Sequence, residues 1–431
     1  MKLFGTMKLR ETGCLEIGGC CVEDVTREYG TPLYVYDTKL IRDKCSEFKT
    51  NFVSDYFDTD VIYASKAFLT KAMCNLLAEQ DMSIDVVSGG ELYTAISSGF
   101  PAERIYMHGN NKTREELEMA IEYNVGTIIV DNEDEVEELN EICEAMKRNA
   151  KVLLRVNPGI DAHTHEYIQT ANHDSKFGVS IYCDNTKELI RKIVESENLN
   201  LKGYHIHIGS QILLESSYYA SIKVIVDFIN KIKEEFGYEA EELNLGGGFG
   251  VYYSEEDTPF PLGDFLKTLT NKIHIEMVQK GLSINKVMIE PGRSIVANSG
   301  TTLYKVGNMK DTYGGKKYIF VDGGMTDNPR KALYDSKYEA CIANRLFDNN
   351  EDVYTIAGKC CESGDILIKD INITVPKKGD VLAVFGTGAY NYSMASNYNR
   401  ILKPGVVFLE DGKAIEVVKR ESYRDLLRND I

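Results

Sequence analysis

Val61-Ile62-Tyr63-Ala64-Ser65-Lys66-Ala67-Phe68 is an apolar run that ends on a lysine, and a helical stretch opens near Thr70. Three further segments, hundreds of residues apart, share its form: His205-Ile206-His207-Ile208-Gly209-Ser210-Gln211, Gly246-Gly247-Gly248-Phe249-Gly250 and, after Val287-Met288-Ile289, Glu290-Pro291-Gly292-Arg293. Each carries a reactive or glycine-rich group at the carboxyl end of a strand-like run. Around them, from about residue 33 to 294, short apolar segments alternate with charged helical ones. Candidate strands are 33–37, 60–67, 84–88, 104–109, 127–131, 151–157, 201–208, 242–246 and 286–290. Between several of them lie amphipathic helices such as 133–147, with Val136, Leu139, Ile142, Cys143 and Met146 at helical spacing. Repeated β-then-α units imply a parallel sheet covered by helices.

Eight or nine strands, with functional groups at their carboxyl ends, predict a closed (β/α)8 TIM-type barrel. An open Rossmann-like sheet is less well matched. The glycine run comes late, and no Gly-x-Gly-x-x-Gly follows the first strand. After about Ser294 the segments 300–306, 317–321, 353–357, 381–385 and 406–409 are short, β-rich and separated by turns, which predicts a C-terminal antiparallel β domain. The expected class is therefore α/β. The barrel spans 36–295, and 1–35 with 296–431 forms the β-rich domain, to which Leu15-Glu16-Ile17-Gly18-Gly19 would donate a strand.

Composition limits the function. At 431 residues, 43% hydrophobic and 27% charged, the chain reads as a globular enzyme of two domains. A net charge of −17 argues against nucleic acid and anionic membrane as partners. The first ten residues lack the apolar core of a signal peptide, and no run approaches the ~18 apolar residues of a membrane span. A cytoplasmic location is expected, with the ten cysteines as reduced, mostly buried thiols. No metal site is expected, because no histidine stands near a cysteine pair at ligand spacing.

The four segments suit one cofactor. Lys66, at a strand end in a barrel mouth, can lose its proton by desolvation and form an imine. His205 and His207, two apart on a strand, face the same side, and His207 is the better placed to stack on a planar ring; His205 reads as a satisfied core residue. Gly246-Gly247-Gly248 lets backbone N–H groups approach a phosphate. Glu290 can hold a proton on a pyridine nitrogen. Singly, each has an ordinary explanation: a surface lysine, a core histidine, a flexible loop, an exposed strand-end glutamate. Together they point to pyridoxal 5'-phosphate.

Further segments carry a resemblance. Asn157-Pro158-Gly159-Ile160-Asp161-Ala162-His163-Thr164-His165-Glu166-Tyr167-Ile168-Gln169-Thr170, Asp174-Ser175-Lys176-Phe177-Gly178, Cys361-Glu362-Ser363-Gly364-Asp365, and Gly388-Ala389-Tyr390 with Ser393-Met394 resemble the fold-type III, alanine racemase-like decarboxylases. The closest group is the diaminopimelate decarboxylases, and the likeness covers nearly the whole length. It implies decarboxylation of meso-2,6-diaminopimelate to L-lysine and CO2, the last step of lysine biosynthesis. It also implies a homodimer with shared active sites. Lys66 would carry the cofactor, His207 stack on its ring and Glu290 pair with its nitrogen. Ser210, Gly247, Gly248 and Tyr390 would hold the phosphate, with Arg293 beside the cofactor. Arg293, Arg330 and Tyr334, with Tyr390, would bind the distal carboxylate of the substrate. Cys361 would donate the proton after CO2 leaves, and Glu362 would bind the distal ammonium, both from the second subunit.

Two departures stand out. Arg330-Lys331-Ala332-Leu333-Tyr334 has a lysine where the family has proline, and Arg400-Ile401-Leu402-Lys403-Pro404 keeps only the final proline of an Arg-Pro-Arg-Pro stretch. Two other readings compete: decarboxylation of another basic substrate (ornithine, arginine or carboxynorspermidine), and a non-catalytic pyridoxal phosphate carrier. The distal-carboxylate set argues against the first, and the Cys361-Glu362 pair with the C-terminal domain against the second.

Overall fold

The computed structural model describes residues 2–160 and 174–431, so most of the Asn157–Thr170 signature lies outside the described residues. The chain divides into two compact units. One comprises Cys45–Gly250 and Pro259–Gly292; the other comprises Met1–Lys44, Val251–Thr258 and Arg293–Ile431.

The first unit is the barrel. Its strands are β1 (Asp58–Ala64), β2 (Ser83–Val86), β3 (Ile105–Met107), β4 (Thr127–Val130), β5 (Ala150–Asn157), β6 (Leu199–His205), β7 (Glu242–Asn244) and β8 (Lys286–Ile289). Each pairs in parallel with the next, and β8 closes on β1. Closure leaves no free edge among these eight strands, to which the short Val179–Ser180 adds alongside β5, and strands such as β2 and β4 are buried on both faces, which is why they read as continuous apolar runs.

Side-chain alternation sorts the inner face into layers. Ile62, Tyr106, Ile129, Leu153 and Met288 form the apolar middle. Toward the strands' amino ends, Asp60 accepts hydrogen bonds from Ser83 Oγ, Tyr106 Oη at 3.2 Å and Lys286 Nζ at 2.9 Å, while Lys151 pairs with Glu242 at 2.6 Å. Two residues further toward the carboxyl ends, the same face carries Asp85, His108, Asp131, Arg155, His205, Asn244 and Glu290. That polar layer is the floor of the site.

The loops above it are pinned by helix caps. Thr70 accepts the Met73 N–H, Ser88 the Glu91 N–H and Asn132 the Glu135 N–H, and Thr113 forms a capping box with Glu116. Each cap is worth ~1 kcal/mol. Between β3 and the Thr113 cap lies a fully buried lysine. Lys112 Nζ donates to Gly109 O at 2.9 Å, Ile129 O at 2.7 Å and Glu135 Oε1 at 2.6 Å, filling all three donors.

The second unit is built on a sheet ordered Ile366–Thr374, Glu351–Ala357, Lys317–Val321, Gly300–Asp311, Leu33–Asp37, Gly405–Glu410, Lys413–Val418. Val381–Phe385 bonds to Gly300–Asp311 and to Ala340–Ile342. Two apolar clusters fill this unit, one around Leu15, Ile17, Val35, Leu303 and Leu409, the other around Tyr304, Ile319, Ile356 and Leu382.

Four expectations change here. Leu33–Asp37 is not a barrel strand: it pairs with Gly300–Asp311 and Gly405–Glu410. A short run buried on both faces reads the same in either sheet. The β sheet is mixed rather than purely antiparallel, because Leu33–Asp37 with Gly405–Glu410 and Lys317–Val321 with Glu351–Ala357 run parallel. The first residues donate no strand to it but form a small sheet of their own, Lys8–Leu9, Leu15–Ile17 and Cys20–Cys21. Within it Cys14 and Cys21 are joined in a disulfide, so not all ten cysteines are free thiols. The hairpin turning at Gly18 and Gly19 brings the two together across seven residues.

Candidate active site

In the barrel unit, a cavity of about 290 Å³ opens above the polar layer, lined among others by Lys66, Asp85, His108, Arg155, His207 and Glu290. Lys66 sits on the single turn Ser65–Ala67 that follows β1, and its side chain is exposed into the cavity. The turn is held at Ser65, whose N–H donates to Asp85 Oδ1 at 3.0 Å, and at Ala64, whose N–H donates to Pro291 O.

Glu290 is buried and fully engaged. Oε1 accepts from His108 Nε2 at 2.8 Å and Asn244 Nδ2 at 2.7 Å; Oε2 accepts from His205 Nε2 at 3.1 Å. Burial pushes its carboxyl up, but the two imidazoles outweigh that and hold it well below the ordinary carboxylate range. Glu290 is thus an anion fed by three donors. Burial conversely lowers His205, to about 4, so it donates as a neutral ring.

The glycine run packs directly on these groups. A Cβ on Gly247 would lie 2.1 Å from Glu290 O, and one on Gly248 would lie 2.5 Å from Gly209 O, with φ at +99°. Only glycine fits either place. Gly247 N–H donates to His207 Nδ1 at 3.1 Å, which fixes the tautomer and the tilt of that ring. Burial, aided by Lys66 and Arg155, holds His207 well below its ordinary value, so it too is neutral. Ile212 N–H bonds to Gly248 O, and Gly250 N–H to Ile212 O, tying the Gly209-Ser210 turn to the glycine run. Lys66, His207, Glu290, Ser210, Gly247 and Gly248 are therefore neighbours in one unit.

Asp85, His108, Arg155 and Asn244 were not anticipated, and His205 is more than a packed core residue. A step of two from Leu153 toward the strand end would have found Arg155. His108, His205 and Glu290 also bring ligand atoms within 4.8 Å of one another, a cluster that chain spacing does not reveal. In this structure those atoms are hydrogen-bonded to each other.

Asp85 offers a test of the site's electrostatics. Burial drives its carboxyl up to about 7; Glu290 adds to the rise, while His108 and Lys66 oppose it. The unfolded value is near 3.9. The contribution of Asp85 to stability is therefore full at low pH and lost as pH rises through about 7. Asp85→Asn keeps an acceptor for Ser65 N–H and removes the ionisation. In cofactor-free protein it is expected to raise the melting temperature clearly more at pH 8.5 than at pH 5, on the order of 2–4 °C per kcal/mol, because the loss accumulates between the unfolded and folded values. Equal shifts at both pH values would contradict this assignment.

In the second unit, Arg293 and Arg330 are only 6% and 7% exposed. Their guanidinium carbons lie 4.8 and 5.3 Å from the ring centre of Tyr390, and Arg330 also lies 5.0 Å from that of Tyr334. Arg293 Nη1 donates to Tyr253 Oη at 2.7 Å, a partner that the sequence did not suggest. Among the described residues, the buried Arg330 Nε has no hydrogen-bond partner. Tyr390 itself adopts φ +64°, a left-handed conformation costly for an aromatic residue and characteristic of functional sites. Cys361 and Glu362 are exposed and bond elsewhere: Cys361 N–H donates to Asn399 Oδ1, and Glu362 Oε2 accepts from Tyr398. Asp365, buried, accepts the N–H groups of Met325 and Cys360 and so anchors their loop.

Residues 38–297, more than half of the chain, match the family described as pyridoxal-dependent decarboxylase, pyridoxal binding domain. The chain is 48% identical to the diaminopimelate decarboxylase of Bacillus subtilis strain 168, spanning 100% of this chain and 98% of that one. It is 46% identical to that of Staphylococcus aureus strain COL, spanning 99% of each. The crystal structure of diaminopimelate decarboxylase from M. jannaschii in complex with L-lysine superposes with a TM-score of 0.92 at 34% identity, over 99% of this chain and 98% of that one. A family match across the barrel and full-length identity of this order leave one assignment: the chain belongs to the pyridoxal-dependent decarboxylases, in the diaminopimelate decarboxylase family.

Proposed function

We propose that the protein decarboxylates meso-2,6-diaminopimelate to L-lysine, with pyridoxal 5'-phosphate in the barrel cavity. The observation that carries the substrate choice is the pair of buried guanidinium groups, Arg293 and Arg330, set around Tyr390. Arginine forks take a carboxylate through paired, charge-assisted bonds. A substrate with a second carboxylate at its non-reacting end uses both, and a simple diamino acid does not. The family's relatives carry that substrate in their name.

The cavity suits the cofactor. Lys66 Nζ reaches into it, Glu290 presents an anion, and Gly247 and Gly248 leave backbone uncovered where a Cβ would collide. When bound there, pyridoxal phosphate supplies an electron sink for the pair left behind as CO2 departs. The chain's own residues do the rest. Lys66 Nζ holds the cofactor covalently. Glu290 keeps a proton on the ring nitrogen. His207, neutral, covers one ring face without adding charge. Ser210 and the amide of Gly248 hold the phosphate, with Tyr390, while Gly247, whose N–H goes to His207 Nδ1, gives the close backbone approach that a side chain would block. Arg293, Arg330, Tyr334 and Tyr390 orient the distal end, and Glu362 takes its ammonium. The reacting carboxylate gets no arginine, because its charge disappears in the transition state. Cys361 Sγ returns a proton to the substrate carbon.

The proposal includes a homodimer in a cytoplasmic setting. Cys361 and Glu362 stand exposed on their own chain, as groups offered to a second subunit would. No helix among the described residues is long and apolar enough to cross a membrane.

The test is a substrate panel. Lysine release from meso-diaminopimelate is expected, with ornithine, arginine and carboxynorspermidine slower by about a hundred-fold or more in kcat/KM. That is the scale set by two charged hydrogen bonds of ~1.5–3 kcal/mol each. Comparable turnover of ornithine would overturn the substrate choice.

A further inference from the structure

Glu290 has more donors than a residue awaiting a pyridine nitrogen needs. His205 and Asn244 come from the neighbouring strands β6 and β7 and are buried with it. The third, His108, comes from beyond the end of β3 and lines the cavity itself. Its backbone is fixed from two sides. His108 N–H donates to Val86 O at 2.8 Å, and the next carbonyl, Gly109 O, is held by the buried Lys112 ammonium. A Cβ on Gly109, where φ is +132°, would press on Lys112 Cγ at 3.1 Å. The rings of His108 and His205 meet edge to face at 4.7 Å, which fixes His108 relative to a fully buried neighbour.

We propose that His108 is a positioning residue for the pyridoxal phosphate ring: through its Nε2–H on Glu290 Oε1 it sets the rotamer and the ionised state of the carboxylate that faces the ring nitrogen. The inference rests on the cofactor reading of the barrel cavity. Its physical basis has two parts. A glutamate side chain has three torsions, and ordering them on binding costs up to ~2 kcal/mol unless they are already fixed. A carboxylate in a dry cavity also takes up a proton unless donors hold it ionised, and a protonated acid cannot keep a proton on a pyridine. Asn244 anchors the carboxylate away from the cavity lining, His205 and His108 both line the cavity, and His108 shares Oε1 with Asn244. Among the described residues, the charged or titratable groups facing this cluster are Lys66, Asp85, Asp131, Arg155 and Lys176, with His205 and His207.

The test compares His108→Ala, His108→Gln and His108→Phe. Gln keeps an N–H donor, and Phe keeps ring volume without one. Pyridoxal phosphate is titrated into each cofactor-free protein, and the pH dependence of the bound cofactor's visible band is recorded beside kcat and KM. Loss of one hydrogen bond to a charged group corresponds to about ten- to hundred-fold weaker cofactor binding. That loss is expected in Ala and Phe, with the band's titration displaced and kcat lowered more than KM is changed. Gln is expected to recover most of each. Cofactor binding and titration in Ala and Phe equal to wild type would overturn the role of His108 while leaving the cofactor reading intact. Failure of the wild type to bind pyridoxal phosphate would instead overturn the cofactor reading. Should His108→Ala not fold, Gln and Phe decide: equal affinities count against the proposal, and retention by Gln alone supports it.

Discussion

Lys66→Ala is expected to leave a folded protein that forms no visible band with pyridoxal phosphate and decarboxylates at least about a thousand-fold more slowly. The fold should tolerate it. The Lys66 side chain is exposed into the cavity, and the turn that carries it is held by backbone bonds from Ser65 and Ala64 rather than by the lysine. A melting temperature close to wild type with an absent band would place the defect in chemistry. A wild-type band in Lys66→Ala would remove the lysine from its role. The same variant tests the proposed sharing of the site between two subunits. Mixed with inactive Cys361→Ala subunits, it is expected to recover up to about a quarter of wild-type activity, because half the dimers are hybrids with one intact site. No recovery would count against Cys361 acting across subunits.

The second large effect falls on stability. Lys112→Met removes the cation facing Glu135 inside the barrel unit, where both side chains are almost fully buried at 1% and 4% exposure. Burial already opposes both charges, pulling the lysine down and pushing the glutamate up. Leaving Glu135 alone there costs about 3–5 kcal/mol, roughly 10 °C in melting temperature for a unit of this size. The carbonyls of Gly109 and Ile129 lose their donor as well. Lys112→Met with Glu135→Leu is expected to restore most of the loss, since no bare charge remains. A double variant as unstable as the single one would show that the carbonyl contacts, not the ion pair, carry the effect.

Much of this site was legible in the sequence. Lys66, His207, Glu290 and the glycines stand at strand ends, and strand ends in a parallel barrel converge by construction, so marking the strands sufficed. Other features were hidden for identifiable reasons. Leu33–Asp37 is buried on both faces and reads like a barrel strand, although its hydrogen bonds go to a different sheet. The Cys14–Cys21 pair depends on a hairpin register that seven residues of spacing do not reveal. His108 follows a strand of three residues, too short for alternation to declare which way it points.

By itself, the sequence determined the barrel and pointed to the cofactor, because these rest on periodicity and on residue types at strand ends, which are local properties of the chain; the family came from the resemblance of segments such as Asp174–Gly178 and Cys361–Asp365. Only the tertiary structure decided the company that Glu290 keeps. Its donors His108, His205 and Asn244 lie 182, 85 and 46 residues away along the chain. Whether a buried carboxylate is a bare charge, a neutral acid or a held anion depends on the donors within about 3 Å, and such distances exist only once the barrel has closed.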